Sequence, residues 1–233
     1  MTAGTDEYPY QAQETINLDL TLSQFGFPLD GIVVKSSPIV ADLNSDGVKE
    51  IYFGSDNEAL HGYNSFGEEI SGFPFQSTDR VRSSPAVGDV DNDGQMEIVF
   101  GNSSGKLYIV NHDGSQQLAY SILGFIEGSP ALIDIDGDQD LEIIFNTTTT
   151  SGGKLYGIHH NGITMSGFPK ELGSMWAGPA VHDIDNDGVH DIICTTYDKE
   201  VYAVNVNGGT IKLGFPFATI GRFSIPPNDC RYR

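Results

Sequence analysis

Asp89-Val90-Asp91-Asn92-Asp93-Gly94-Gln95-Met96-Glu97 lies between two apolar runs, Pro85-Ala86-Val87 before it and Ile98-Val99-Phe100 after it. Carboxylates at positions 1, 3, 5 and 9 of this loop, with glycine at position 6, converge hard oxygen donors on one point, the ligand set that Ca²⁺ takes. Without a cation, so many like charges would repel one another. The same nine-residue design returns at Asp42 to Glu50, Asp134 to Glu142 and Asp183 to Asp191. The chain therefore reads as a cation-loaded repeat protein.

The bulk numbers agree with that reading. The chain has 233 residues and a formal net charge of -20, which argues against a nucleic-acid backbone or an anionic membrane as the main partner, since both call for a basic surface. Fifteen of the 32 acidic residues fall at the carboxylate positions of the four loops, and four bound Ca²⁺ would bring the charge from -20 to -12. Two cysteines, Cys194 in an apolar run and Cys230 near the end, give no disulfide framework. No apolar run approaches the roughly 18 residues that span a bilayer, so no direct membrane insertion is expected. Met1 to Tyr10 lacks the basic and apolar regions of a signal peptide.

The prolines that open each unit, Pro38, Pro85, Pro130, Pro179 and Pro226, are spaced by 47, 45, 49 and 47 residues. A period in this range marks a solenoid, propeller or array. The second unit shows four strands best: Ser84 to Asp89, Met96 to Gly101, Lys106 to Asn111 and Ser115 to Ser121. Turn residues fill the third connection of every unit, at Ser65-Phe66-Gly67, Asp113-Gly114, Asn161-Gly162 and Asn207-Gly208, as tight hairpins require. The tripeptide Gly-Phe-Pro recurs at Gly26, Gly72, Gly167 and Gly214. It is missing near Ile122 to Phe125. Ahead of the first unit, Ile16 to Leu22 alternates with period two and reads as a half-buried strand ending in Gly26-Phe27-Pro28.

Four-stranded antiparallel units with a period in the forties are propeller blades. The run Ser-Ser-Pro-Ala-Val-Gly-Asp-Val-Asp-Asn-Asp-Gly from Ser83, then Glu-Ile-Val-Phe-Gly from Glu97, Gly-Lys-Leu-Tyr-Ile-Val-Asn from Gly105 and the recurrent Gly-Phe-Pro resembles the FG-GAP/VCBS-type repeat. That family includes the β-propeller of integrin α subunits and many secreted bacterial surface proteins. The resemblance covers about Gly26 to Ile225. It implies an all-β, calcium-bearing β-propeller whose metal loops join the first and second strands of each blade.

Carried over loop by loop, the resemblance implies about four Ca²⁺. The first would be held by Asp42, Asn44, Asp46 and Glu50 with the carbonyl of Val48, and the second by Asp89, Asp91, Asp93 and Glu97 with that of Gln95. The third would be held by Asp134, Asp136, Asp138 and Glu142 with the carbonyl of Asp140. The fourth would be held by Asp183, Asp185, Asp187 and Asp191 with that of Val189. In the third loop Gln139 occupies position 6, where glycine tolerates positive φ and glutamine does not, so a strained or weaker site is expected. An EF-hand shares the first half of the pattern but needs glutamate at position 12 between two helices. Here position 12 is Phe53, Phe100, Phe145 and Cys194, which excludes it.

The expected organisation is a loose leader at 1–15 and one propeller domain over 16–233, with repeats at about 36–82, 83–127, 128–176 and 177–223. Ile16 to Pro28 reads as the fourth strand of an earlier blade and Phe223 to Pro227 as the first strand of a later one. The expected architecture is therefore four complete blades with partial blades at both ends, as a segment of a larger propeller completed by further blades or a second chain. A compact four-bladed ring is the alternative.

Catalytic look-alikes are weak. Gly101-Asn102-Ser103-Ser104-Gly105 matches a nucleophile elbow, which needs a strand-to-helix turn, yet it lies between two strands. No pair of histidines at zinc-binding spacing on a helix is present, and His159-His160 reads as an exposed turn. Strand direction places the metal loops and the third-to-fourth turns on one face, and the other connections on the opposite face. There, three residues before the opening proline, the repeat varies: Lys35, Arg82, Glu127, Trp176 and Phe223. The first four and Arg222 are the candidate ligand-binding residues. The first reading is a non-catalytic extracellular or cell-surface module that binds a protein or glycan on the face opposite the metal loops, without nucleic acid. A propeller of a carbohydrate-active enzyme and a purely structural spacer are the alternatives.

Overall fold

The computed structural model describes residues 26–219. The leader, the strand expected at Ile16 to Leu22, Arg222, Phe223 to Pro227 and Cys230 lie outside the described residues. Within them no helix forms, and sixteen strands make four antiparallel sheets. The first sheet holds β1 (Ile39–Ala41), β2 (Glu50–Gly54), β3 (Ala59–Tyr63) and β4 (Phe75–Gln76), and the second β5 (Ala86–Gly88), β6 (Glu97–Gly101), β7 (Lys106–Asn111) and β8 (Gln116–Ser121). The third holds β9 (Ala131–Ile133), β10 (Glu142–Asn146), β11 (Lys154–Ile158) and β12 (Lys170–Glu171). The fourth holds β13 (Ala180–His182), β14 (Asp191–Thr195), β15 (Glu200–Asn205) and β16 (Phe217–Ala218). Each sheet is a meander in chain order, the blade that the spacing of the prolines implies.

The blades stack through three apolar layers, one at each junction. A strand buried on both faces reads as an unbroken apolar run, and β6 and β10 are buried along their whole length. Alternate side chains then serve opposite neighbours. Ile98 and Phe100 face the first blade, where they meet Tyr52, Leu60 and Phe73, while Val99 joins Ile143, Phe145 and Tyr156 of the third. Ile144 turns the other way, to Ile192, Cys194 and Val204 of the fourth. Each such large side chain stabilises the fold by about 1.5–3 kcal/mol relative to exposure. The inner strand β9 packs against both β5 and β13, and among the described residues no apolar layer joins the first blade to the fourth. The four blades thus form an arc and not a closed ring.

In the described blades that carry it, the Gly-Phe-Pro tripeptide divides the fourth strand. In blades one, three and four an isolated bridge precedes the tripeptide (Tyr63 with Glu69, Ile158 with Thr164, Val204 with Ile211) and a two-residue strand follows it. Blade two lacks the tripeptide and keeps a continuous six-residue β8. The glycine of the tripeptide is a latch between blades. Gly72 has φ +89°, and a Cβ there would lie 2.0 Å from the carbonyl oxygen of Asp113 in the next blade's turn. Gly167 meets Gly208 in the same way, and Gly26 meets Phe66. Gly26 therefore sits on the first blade as Gly72 sits on the second.

The segments between blades are tied down with one spacing. The carbonyls of Val33, Arg80, Phe125 and Ser174 accept the amides of Asp56, Ser103, Thr148 and Tyr197 respectively. This lays each blade-to-blade connection over the loop between second and third strands and defines one face of the arc. The acidic loops lie on the other.

Candidate metal centres

Each acidic loop is shaped by its own carboxylates. In the second, Asp89 accepts the amides of Asp93 and Gly94 at 3.0 Å each, and Asp93 accepts that of Gln95 at 2.8 Å. Asp42 and Asp46 in the first loop, and Asp183 and Asp187 in the fourth, repeat this scheme. In the fourth loop those amides hold Asp183 below the usual carboxylate range, the amide of Gly188 contributing most. Turning the chain so tightly takes left-handed backbone at positions 4 and 6: Asn92 at φ 56° with Gly94, Ser45 at 58° with Gly47, and Asn186 at 60° with Gly188. The third loop reverses the residues. Its glycine, Gly137, stands at position 4 and Gln139 takes position 6 at φ 80°, the strained geometry that the misplaced glutamine leads one to expect.

The last acid of each loop opens the second strand and is carried into the interior. Glu50, Glu97, Glu142 and Asp191 are 5%, 2%, 0% and 0% exposed. One oxygen of Glu97 accepts the amide of Val90 at 2.9 Å, and one of Glu142 accepts that of Ile135 at 2.8 Å. Burial, followed by the nearby Asp91, Asp93 and Asp89, pushes the Glu97 carboxyl up to about 7. Glu50 and Glu142 are raised as well, in both cases first by burial. A buried carboxylate among further carboxylates is stable only beside a positive charge.

The loop oxygens converge. Oxygens of Asp89, Asp91 and Glu97 lie within 4.8 Å of one another, as do those of Asp183, Asp185 and Asp191 and of Asp134, Asp136 and Asp138. In the first loop Asn44 stands at the third position, so its donors there include an amide oxygen. In the second loop the buried Asp91 Oδ1 accepts no hydrogen bond from the protein. A hard cation fits the all-oxygen, partly buried sets of the second and third loops.

Three further residues, from the connections between third and fourth strands, escape a reading by loop spacing. His159 Nδ1 lies 2.9 Å from Glu142 Oε1 and His160 Nδ1 lies 2.8 Å from Asp140 Oδ2, so neither is a free turn residue. Lys212 Nζ lies 2.6 Å from Asp185 Oδ2 and 2.8 Å from Asp191 Oδ2, and those two carboxylates hold the ammonium charged by raising its pKa. The only trace of these groups in the sequence is a departure from the repeat. His159 replaces the asparagine of Asn64, Asn111 and Asn205, and Lys212 replaces Ile70 and Met165.

On the opposite face two of the varying residues, Arg82 and Glu127, come together. Arg82 grips Asp56 with two hydrogen bonds, Nε to Oδ1 at 2.8 Å and Nη2 to Oδ2 at 3.2 Å, and approaches Glu127 at 3.9 Å. Its guanidinium holds Asp56 below the ordinary carboxylate range, and Arg80 and Lys35 add to that. Lys35 and Trp176 are half-buried. A groove of about 510 Å³ is lined by Leu123, Thr147, Thr149, Ser151, Gly152, Gly153, Lys154, Tyr156, Glu171 and Gly173.

Comparison with known proteins now adds a family signal. Residues 42–100 and 89–145 match the model of the FG-GAP-like repeat, so the chain carries these repeats through its first three acidic loops. Among solved structures, BBS1N, crystallised in complex with ARL6DN, matches with a TM-score of 0.61 at 12% identity, over 82% of this chain and 57% of its own. BamB from Moraxella catarrhalis matches with a TM-score of 0.54 at 14% identity, over 86% of this chain and 54% of its own. The C-terminal domain of Pseudomonas aeruginosa PilY1 gives 0.54 at 16%, over 69% and 39%. At these identities the likeness is one of fold, a propeller-like all-β architecture, and the chain spans little more than half the length of the first two. No curated protein sequence matches the chain.

Proposed function

We propose that this chain of FG-GAP-like repeats is a non-catalytic β-propeller module, braced by Ca²⁺, that works outside the cell or on its surface and binds a protein or glycan on the face opposite its acidic loops. The observation that carries the reading is the buried glutamate at the end of the loop. Glu97 is 2% exposed among three aspartates, and without a cation its carboxyl is pushed up to about 7. A divalent ion between Asp89, Asp91, Asp93 and Glu97 supplies the missing charge and ties β5 to β6. Asp42, Asn44, Asp46 and Glu50 serve the first blade in the same way, and Asp134, Asp136, Asp138 and Glu142 the third, with the carbonyls of Val48, Gln95 and Asp140 as further donors. Ca²⁺ suits these sets better than Mg²⁺, which demands tight octahedral geometry and keeps its waters.

The ion's role here is structural. It removes repulsion inside the loops and so fixes the arc that carries the other face. Loops on a rigid scaffold are where binding is installed, and the 510 Å³ groove, lined by Tyr156, Lys154, Glu171 and the threonines Thr147 and Thr149, offers polar and aromatic surface. Arg82, held by Asp56 and 3.9 Å from Glu127, together with Lys35 and Trp176, supplies charged and aromatic groups to that face. Millimolar Ca²⁺ outside cells is what sites of moderate affinity need.

Thermal unfolding in excess EDTA and again in added Ca²⁺ tests the reading. Each site filled at 100 times its Kd adds about 2.7 kcal/mol, so a clear rise in Tm is expected, and an unchanged Tm refutes calcium bracing. A glycan array and pull-downs with surface proteins, repeated after loop-face substitutions, then separate a binding module from a spacer that binds nothing.

A further inference from the structure

We infer that the fourth acidic loop is not a divalent-metal site in this chain, and that the ammonium of Lys212 is its built-in cation. The inference rests on reading the first three loops as metal sites, and it sets the fourth apart from them. Lys212 Nζ lies 2.6 Å from Asp185 Oδ2, 2.8 Å from Asp191 Oδ2 and 3.6 Å from Asp187 Oδ2. Those are positions 3, 9 and 5 of the loop, the oxygens on which a Ca²⁺ would sit at about 2.3–2.6 Å. Two cations cannot share that point.

The lysine is placed there by register. Its amide donates to the carbonyl of Ala203, as that of Ile70 donates to Gly62 and that of Met165 to Gly157. All three residues stand two before the glycine of Gly-Phe-Pro. Ile70 and Met165 turn into the apolar layers between blades. At the same site in the fourth blade the side chain is cationic, only 15% exposed, and spent on the loop.

A second departure is independent of the first. The fourth loop ends in Asp191 where the others end in Glu50, Glu97 and Glu142. One methylene shorter, Asp191 reaches the amide of Ile184 only at 3.4 Å, against 2.9 and 2.8 Å for the corresponding bonds of Glu97 and Glu142. The retracted carboxylate leaves room for the ammonium, and the oxygen that would hold the loop amide is the one that Lys212 takes. The fourth blade therefore keeps its cation when calcium is withdrawn, whereas the first three lose theirs.

Native mass spectrometry of the whole chain in Ca²⁺, with Tm in EDTA and in Ca²⁺, tests this on wild type, Lys212→Met and the double variant Lys212→Met/Asp191→Glu. Methionine is what the third blade carries at this position, and the double variant rebuilds the pattern of the other loops, so it keeps the test open if the single variant folds poorly. The expected result is no more than three ions on wild type and one more on a variant, with a lowered Tm in EDTA that Ca²⁺ restores. Four ions on wild type, or equal counts on wild type and both variants with at least one ion bound, overturn the inference while the calcium reading stands. No ion on wild type but one on a variant upholds the inference and refutes calcium at the first three loops. No ion on any of them overturns both.

Discussion

Replacing Glu97 by glutamine sets two consequences of the same buried carboxyl against each other. In the metal-free protein Glu97 is harder to ionise folded than unfolded, its pKa lying at about 7 against 4.5. A raised carboxyl pKa means that the folded state holds the extra proton between those values. Stability contributed through this group is therefore present at low pH, falls as pH rises from about 4.5 through 7, and stays lost above that. At about 1.4 kcal/mol for each tenfold change in the ionisation constant, the loss is about 3 kcal/mol. Glutamine keeps an acceptor for the amide of Val90 but cannot ionise. In EDTA at pH 8, Glu97→Gln should be the more stable protein by up to about 3 kcal/mol, which for a chain of this size raises Tm by about 6–12 °C. Near pH 4.5 the difference should vanish. In saturating Ca²⁺ at pH 8 the order should reverse, because the variant has lost an anionic ligand. Differential scanning calorimetry under the three conditions reads all of this. A variant less stable than wild type in EDTA at pH 8 would refute the uncompensated-charge argument, and a variant equal to wild type in Ca²⁺ would remove Glu97 from the metal site.

Other outcomes follow from single residues. Gln139→Gly, at φ 80°, should gain about 0.5–1 kcal/mol in urea unfolding, since relief of left-handed backbone exceeds the added chain entropy; a loss would show that the glutamine side chain holds the loop. Gly72→Ala should cost at least about 2 kcal/mol because its Cβ meets the Asp113 carbonyl. Gly94→Ala, with open space around it at a similar φ, should cost about 1, and equal costs would refute the latch. Cys194 is buried with its thiol pushed up to about 12, so a thiol reagent should modify it only after denaturant unfolds the chain; labelling in native buffer would contradict its place in the layer between the third and fourth blades.

The blades were legible because their signals are local. Four acidic loops, a glycine-bearing turn in each unit and runs such as Lys106 to Asn111, whose strand bounds the structure reproduces, each lie within a few consecutive residues. Phe100, Phe145 and Cys194 at position 12 mark the second strand as buried for the same reason. What fills a loop from outside was not legible. His159 reaches Glu142 across 17 residues and Lys212 reaches Asp191 across 21, and that approach depends on the register of β11 and β15, which no spacing within the loop encodes. The two left-handed positions of the third loop show a subtler limit. Glycine at position 6 was visible as a rule, but the equal demand at position 4 is hidden wherever Asn or Ser meets it.

The backbone latch that Gly72 and Gly167 make with the following turns is absent between the second and third blades. There Gly162 faces the side chains of Leu118 and Tyr120, and the Tyr120 hydroxyl lies 3.1 Å from that of Thr164. Where main chain meets main chain, the gap at the outer rim is fixed by the polymer itself, and a side chain added at the glycine can only break the contact. At this one junction the gap is set by two replaceable side chains. It is the joint at which the curvature of the arc can be adjusted by point mutation, and the place where a bending load would open the rim first.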